Sequence, residues 1–240
     1  MSCITADPGE RASSRARGLR QEVEDHFVLL VEGLTDDPRF ARLVSGRASA
    51  PEYEAFVRNL VRTHLRSPQL FAFLYALAPP AAATDLGHNL LEEMGVGEDD
   101  GVSHPDLLRR LAAGAGLGPA ALAEVESDSE ADLRRLVTGP LLYPALREVG
   151  LAALVEIISF EFMLSRVAAT LAVGLSRHFC LDDESLAWLH HHAEVDVGHA
   201  EQGLDAIVAY ARHYGIDGGD AVAIVDTALA GNPFLARYFR

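Results

Sequence analysis

The stretch from Val149 to Leu175, VGLAALVEIISFEFMLSRVAATLAVGL, constrains the fold of this 240-residue chain more than any other segment. It is apolar on nearly every helical face, so whatever surrounds it must be apolar as well: lipid, or other helices. The run is long enough to span a bilayer. However, Glu156, Glu161 and Arg166 lie within it, and charges near the middle of a span are expensive. It therefore reads as the central helix of a soluble bundle. Glu161, set in Ile157-Ile158-Ser159-Phe160-Glu161-Phe162-Met163-Leu164, occupies the least hospitable position in the chain for an unpaired acid.

The rest of the sequence repeats the helical period. Leu19–Gly33 carries Val23, Phe27, Leu30 and Val31. Pro51–Ala78 opens on Ser49-Ala50-Pro51-Glu52 and should bend or break at Pro68. Ala81–Met94 ends at Gly95-Val96-Gly97 and an acidic loop, Glu98-Asp99-Asp100. Further helices are expected from Ser103-His104-Pro105-Asp106 to about Gly114, near Pro119–Glu126, and from about Ser129 to an interruption at Gly139-Pro140 and Pro144. Leu181 to Glu184 should cap a helix running to about Tyr214, and Asp217–Leu229 closes the series. No run of alternating β-branched residues supports a strand. The prediction is a single all-α domain over residues 19–240, of about seven to nine helices, preceded by a loose arm at 1–18.

Lys and Arg number 20 against 35 Asp and Glu, a formal charge of −15. That balance argues against nucleic acid or an anionic membrane as partner. Only Cys3 and Cys180 are present and no export signal is visible, so a reducing, cytoplasmic setting is expected.

Half of the ten histidines fall between His178 and His199. Among them, His192, Asp196 and His199 stand at i, i+4 and i+7, within about 60° of one another on one helix face. That face continues through Leu189, Gly203, Ile207 and Tyr210, so it points inward, with Gly203 leaving space beside the cluster. Two imidazoles and a carboxylate there suit iron, manganese or zinc. The same residues could also form a self-satisfied His–Asp–His hydrogen-bond network. His190 and His191 are rotated away from this face, and His190 could pair with Glu194. Glu156 lies about 140° from Glu161, so the two cannot readily serve one ion; either could pair with Arg166 or Arg147. Glu92, Glu93 and His104 are ordinary taken singly. Together these positions would supply three carboxylates and three imidazoles, the inventory of a two-metal site.

Three motifs in order then resemble one family. They are N-x2-E-E-x-G (Asn89 to Gly95) followed by H-x2-L (His104 to Leu107), a Glu thirteen residues before a Gly-Leu pair (Glu161 with Gly174-Leu175), and H-x3-D-x2-H (His192, Asp196, His199). The chain resembles, over about residues 20–215, the haem-oxygenase-like diiron oxidases and oxygenases, relatives of the TENA and PQQ-synthase folds that bind no haem. The resemblance implies a haem-oxygenase-like bundle and the ligands Glu93, His104, Glu161, His192, Asp196 and His199, with Glu92 as the alternative to Glu93. It implies two irons, dioxygen as co-substrate, and a peroxo-diiron(III) intermediate that desaturates, cleaves or N-oxygenates small substrates in specialised metabolism. An external electron donor and a homodimer are expectations of the same kind.

An aliphatic amino acid undergoing desaturation is the favoured substrate. N-oxygenation of an amino acid and oxidative decarboxylation of a fatty acid follow. Arg58, Arg62 and Arg166, with His64, are the candidates for holding it, and Phe160, Phe162, Met163 and Leu164 the candidates for an apolar wall. A metal-free TENA-like hydrolase or binding protein is the alternative from another class. The hydrolases depend on a pocket cysteine, and neither Cys3 nor Cys180 is well placed for that role.

Overall fold

Capping residues and prolines set most of the helix boundaries in the computed structural model. It describes residues 8–97, 101–138 and 146–240; the side chains of 8–17, 136–138 and 197 fall outside that description. Among the described residues there are eleven α-helices and no strand, so the fold is all-α as expected. The chain starts with α1 (Pro8–Thr35) and α2 (Pro38–Val44), followed by α3 (Ala50–His64), α4 (Ser67–Ala76) and α5 (Ala83–Glu93). Next come α6 (His104–Gly114) and α7 (Pro119–Thr138), then two partners of the interior, α8 (Leu146–Phe179) and α9 (Ala187–His213). The chain closes with α10 (Gly218–Ala228) and α11 (Pro233–Tyr238).

Ser49 and Glu52 form a reciprocal capping box at the start of α3. Pro68 falls in the first turn of α4, so the expected break separates α3 from α4. Two short helices exceed the expected count. Each starts on a side-chain cap followed by proline: Asp37 accepts from the Arg39 N–H at 2.8 Å, and Asn232 accepts from Phe234 and Leu235 at 3.2 and 3.3 Å. Asp-Pro and Asn-Pro were the available signals.

Three expectations are corrected. The backbone of residues 8–18 is helical and continuous with α1, in keeping with its good helix formers Glu10, Arg11, Ala12 and Ala16; residues 1–7 lie outside the described residues. The two helices expected between Pro119 and Thr138 are one. Within it, Ser129 bonds back to the Glu126 carbonyl at 2.8 Å, which lets a Ser-Asp-Ser sequence stay helical. The interruption at Gly139-Pro140 and Pro144 lies outside the described residues, as does the acidic loop 98–100. Lastly, the 181–184 segment does not cap α9 directly. Asp182 accepts from the Ser185 N–H at 2.9 Å, closing a turn just before the helix begins at Ala187.

Helix α8 is buried on most of its circumference, from Leu151 through Leu175, against α1, α2, α4, α9 and α10. No helix among the described residues is long and apolar enough to cross a membrane. Helix α8 crosses α9 closely at Gly203. The space beside Gly203 is occupied by Ile158, whose Cγ2 would lie 2.5 Å from a Cβ built on that glycine. Gly203 therefore permits close helix approach; it does not leave an opening. A second knot ties α3, α8, α9 and α11 together. The buried His64 ring lies 4.9 Å from Trp188 and 5.3 Å from Phe160, and its Nε2 meets the Tyr238 hydroxyl at 2.6 Å.

Two outcomes test this packing. Gly203→Val should cost about 2 kcal/mol or more of stability by overpacking. Combining it with Ile158→Ala should then cost less than the sum of the single changes, measured by urea unfolding. Burial pushes the His64 imidazole down to about 3 from its ordinary 6.5, so it is neutral in the fold while the unfolded chain takes up the proton. Its stabilisation is complete above about pH 6.5 and falls away as pH drops toward 3. Relative to His64→Gln, wild-type stability should fall by about 1.4 kcal/mol per pH unit through that window. Parallel pH profiles of the two proteins would refute this.

Candidate metal centre

The site is assembled first by the turn between α5 and α6. After Glu93 the backbone closes a Schellman motif, with the Gly95 N–H donating to the Glu92 carbonyl and the Val96 N–H to the Leu91 carbonyl, both at 2.8 Å. Gly95 has φ +72°, and a Cβ on it would lie 2.7 Å from the Val102 carbonyl carbon. Only glycine lets the returning backbone pass so close. The consequence is that His104, the first residue of α6, faces the last residue of α5. Glu93 Oε2 is 3.1 Å from His104 Nδ1, and both side chains are buried. The Ser67 hydroxyl, at the start of α4, donates to the same carboxylate oxygen at 2.5 Å.

Helix α9 presents its one-faced trio to this pair. His192 and Asp196 are buried and His199 nearly so. The His192 Nδ1–H donates to the Trp188 carbonyl at 2.8 Å, which leaves the Nε2 lone pair available to a ligand. The His192 and His104 rings lie 4.9 Å apart. Glu93, His104 and His192 each offer one ligand atom within 4.8 Å of the other two. Glu161 reaches the cluster from α8. Glu92, which the sequence offered only as an alternative to Glu93, is present as well: its Oε2 lies 2.9 Å from His199 Nε2. His199 Nδ1 lies 3.7 Å from Asp196 Oδ1. The two adjacent glutamates thus meet different histidines.

The electrostatics of this cluster are unfavourable for the protein alone. Burial, then the neighbouring Asp196, and more weakly Glu93 and Glu92, hold the Glu161 carboxyl well above the usual range, with His199 opposing. Burial, then Glu93, does the same to Asp196, with His104 opposing. Burial, then His104, pushes the His192 imidazole well down. Oε2 of Glu161 and Oδ2 of Asp196 are inaccessible to solvent and accept no hydrogen bond among the described residues. Buried carboxylate oxygens, beside the His192 nitrogen freed by its ring's other hydrogen bond, are a donor set that fits hard to borderline divalent cations. Iron belongs to that class.

The six sequence-predicted ligands thus converge in one interior, while the predicted substrate residues scatter. Arg58 is an α3–α7 tie, 2.8 Å from Glu124. Arg62 lines the adjoining cavity, but its guanidinium is taken by Asp132 at 2.7 and 3.0 Å and by Asp128 at 2.8 Å. Arg166 is exposed and lies over the Phe162 ring at 4.2 Å. Glu156 pairs with Arg237, not with Arg166 or Arg147. His190 approaches Asp183 at 3.9 Å, not Glu194, and the His191 ring packs 4.7 Å from His104. Of the apolar wall, Phe160 lines the cavity, whereas Phe162 packs against Phe27 of α1 at 5.4 Å.

Two residues that the sequence did not single out are Ser67, bonded to Glu93, and Arg66, which lines the same cavity. Their only signal was position, next to the Pro68 break.

No curated relative matches the chain. The family pattern described as iron-containing redox enzyme matches residues 54–230, more than half of the chain and a span that includes every residue of the cluster. With its all-α haem-oxygenase-like fold, the chain belongs to the iron-containing redox enzymes.

Proposed function

We propose that this redox enzyme is a non-haem diiron, dioxygen-dependent oxidase that desaturates a small aliphatic amino acid. The observation that carries the reading is the convergence of Glu93, His104, Glu161, His192, Asp196 and His199, drawn from four helices, with buried carboxylate oxygens that no protein donor satisfies. Glu93, His104 and His192 would hold one iron, and Glu161, Asp196 and His199 the other. When bound, such a pair supplies dioxygen activation and the oxidising power to remove hydrogen from an unactivated carbon.

The chain's own residues do the rest. The Trp188 carbonyl fixes the His192 tautomer, and Ser67 holds the Glu93 carboxylate through one oxygen. Glu92 stands against His199 as a further carboxylate, 2.9 Å from its Nε2. Phe160, Trp188 and Leu189, all buried, limit access of water. Desaturation withdraws two electrons, whereas reduction of dioxygen to two waters takes four, so an external donor must supply the other two.

Support for a small substrate comes from the cavity beside Ser67, His64 and Phe160, whose volume is about 110 Å³. Pockets for drug-sized ligands run to roughly 300–1,000 Å³, so this cavity by itself suits a small substrate. Its lining combines Leu70, Ile157 and Phe160 with charged groups, as an aliphatic amino acid requires.

Anaerobic Fe(II) loading followed by iron quantitation tests the centre: two irons per chain are expected, with a sharp drop in His192→Ala and Asp196→Ala. Bound iron at about a hundredfold over its dissociation constant should stabilise the fold by about 2.7 kcal/mol. Failure of the wild type to retain iron rejects the reading. With oxygen and a reductant, a panel of aliphatic amino acids should yield a product lighter by two hydrogens. A product heavier by one oxygen would replace desaturation with N-oxygenation, and turnover without oxygen would return the chain to the hydrolases.

A further inference from the structure

The cavity beside the cluster holds several charged side chains, and nearly all are already committed to one another. Arg62 is taken by Asp128 and Asp132. Asp132 also receives Arg135 at 3.0 Å. Arg237 gives both its Nε, at 2.9 Å, and a terminal nitrogen to Glu156 Oε1. Two groups remain. Arg66 makes no side-chain hydrogen bond or ion pair among the described residues, and its Nε is shut off from solvent with no acceptor. Glu156 uses only Oε1 toward Arg237, and its Oε2 has no hydrogen bond among the described residues. A buried donor without an acceptor costs about 1–3 kcal/mol, and a partly buried guanidinium with no anion nearby is the less common state of an arginine.

We propose that this cavity is a head-group pocket for a zwitterionic α-amino acid, in which Arg66 receives the carboxylate and Glu156 Oε2 the ammonium group. With its Nε closed off, Arg66 offers the two terminal nitrogens of its guanidinium, a planar pair that matches a carboxylate. It immediately precedes Ser67, whose hydroxyl is bonded to Glu93, so a head group held here lies next in sequence to a residue touching the metal cluster. Leu70, Ile157 and Phe160 line the same cavity and provide the surface against which an aliphatic side chain lies. The pairing of Arg237 with Glu156 engages only one of its oxygens. This inference rests on the amino-acid oxidase reading for its purpose, but the pocket is testable without turnover.

The test is equilibrium binding, by calorimetry or ligand-observed NMR. It uses metal-free protein and anaerobic Fe(II)-loaded protein, with three probes: L-leucine, 4-methylpentanoate and 3-methylbutan-1-amine. L-leucine should bind more tightly than either truncated analogue. Arg66→Gln should weaken L-leucine and 4-methylpentanoate by about ten- to hundredfold, the range for hydrogen bonds to a charged group, and leave the amine unchanged. Arg66→Lys should recover part of that loss. Glu156→Gln should weaken L-leucine and the amine but not the carboxylate. Iron content should be the same in wild type and Arg66→Gln, which separates a pocket defect from a damaged centre or a misfolded chain.

Equal affinity of wild type and Arg66→Gln for 4-methylpentanoate overturns the proposal, as does absence of L-leucine binding in a protein that loads iron. In the second case the diiron reading survives. Arg66-dependent binding in a protein that retains no iron would keep the pocket and reject the oxidase.

Discussion

Several buried carboxylates that repel one another inside an apolar bundle are the constraint around which this molecule is organised. Glu93, Glu161 and Asp196 come from α5, α8 and α9. Two like charges about 4 Å apart cost on the order of 4 kcal/mol at an effective dielectric of about 20. A flexible core would relieve that repulsion by moving the helices apart. Here it cannot, because Gly203 brings α9 against Ile158 of α8 and Gly95 folds α6 back onto α5. The remaining ways to neutralise the cluster are protons, which the raised affinities of Glu161 and Asp196 express, or cations. The two compete, so occupancy by metal releases protons and weakens as pH falls.

Much of this was legible in the sequence because it depends on short-range periodicity. A helix apolar all round must be central, which located α8. An i, i+4, i+7 spacing puts three side chains on one face whatever surrounds it, which located His192, Asp196 and His199 before any neighbour was known. Glu161 stood out because its flanking residues exclude water. Proline and cap chemistry placed the break at Pro68, and the same rules would have found α2 and α11 from Asp37-Pro38 and Asn232-Pro233.

What was not legible depends on counting partners across the fold. Glu92 and Glu93 looked like alternatives because the resemblance does not fix the spacing between this acid and His104. At the end of α5 both still reach the cluster, since His104 and His199 approach from different sides. Gly203 looked like a void because a missing side chain says nothing about what fills its place. Arg58, Arg62 and Arg66 share one stretch of chain and no local pattern ranks them. Only the acids on α7, Glu124, Asp128 and Asp132, decide that the first two are neutralised and the third is not.

The origin of the walls follows the same division. Every member of the cluster lies inside the span that matches the iron-containing redox enzymes, which ends at residue 230. Arg237 and Tyr238 lie beyond it, on α11, yet Arg237 engages Glu156 at the cavity and Tyr238 engages His64 beside it. Burial makes the Tyr238 hydroxyl reluctant to ionise, and Asp196 adds to that effect, so the terminal helix is electrostatically tied to the cluster as well as packed on it. The cluster is therefore drawn wholly from the span that matches the family, whereas part of the adjoining cavity wall comes from a helix beyond that span. A change on α11 would therefore alter the cavity wall without replacing any member of the cluster, because a packed core resists change in volume and charge far more than its rim does.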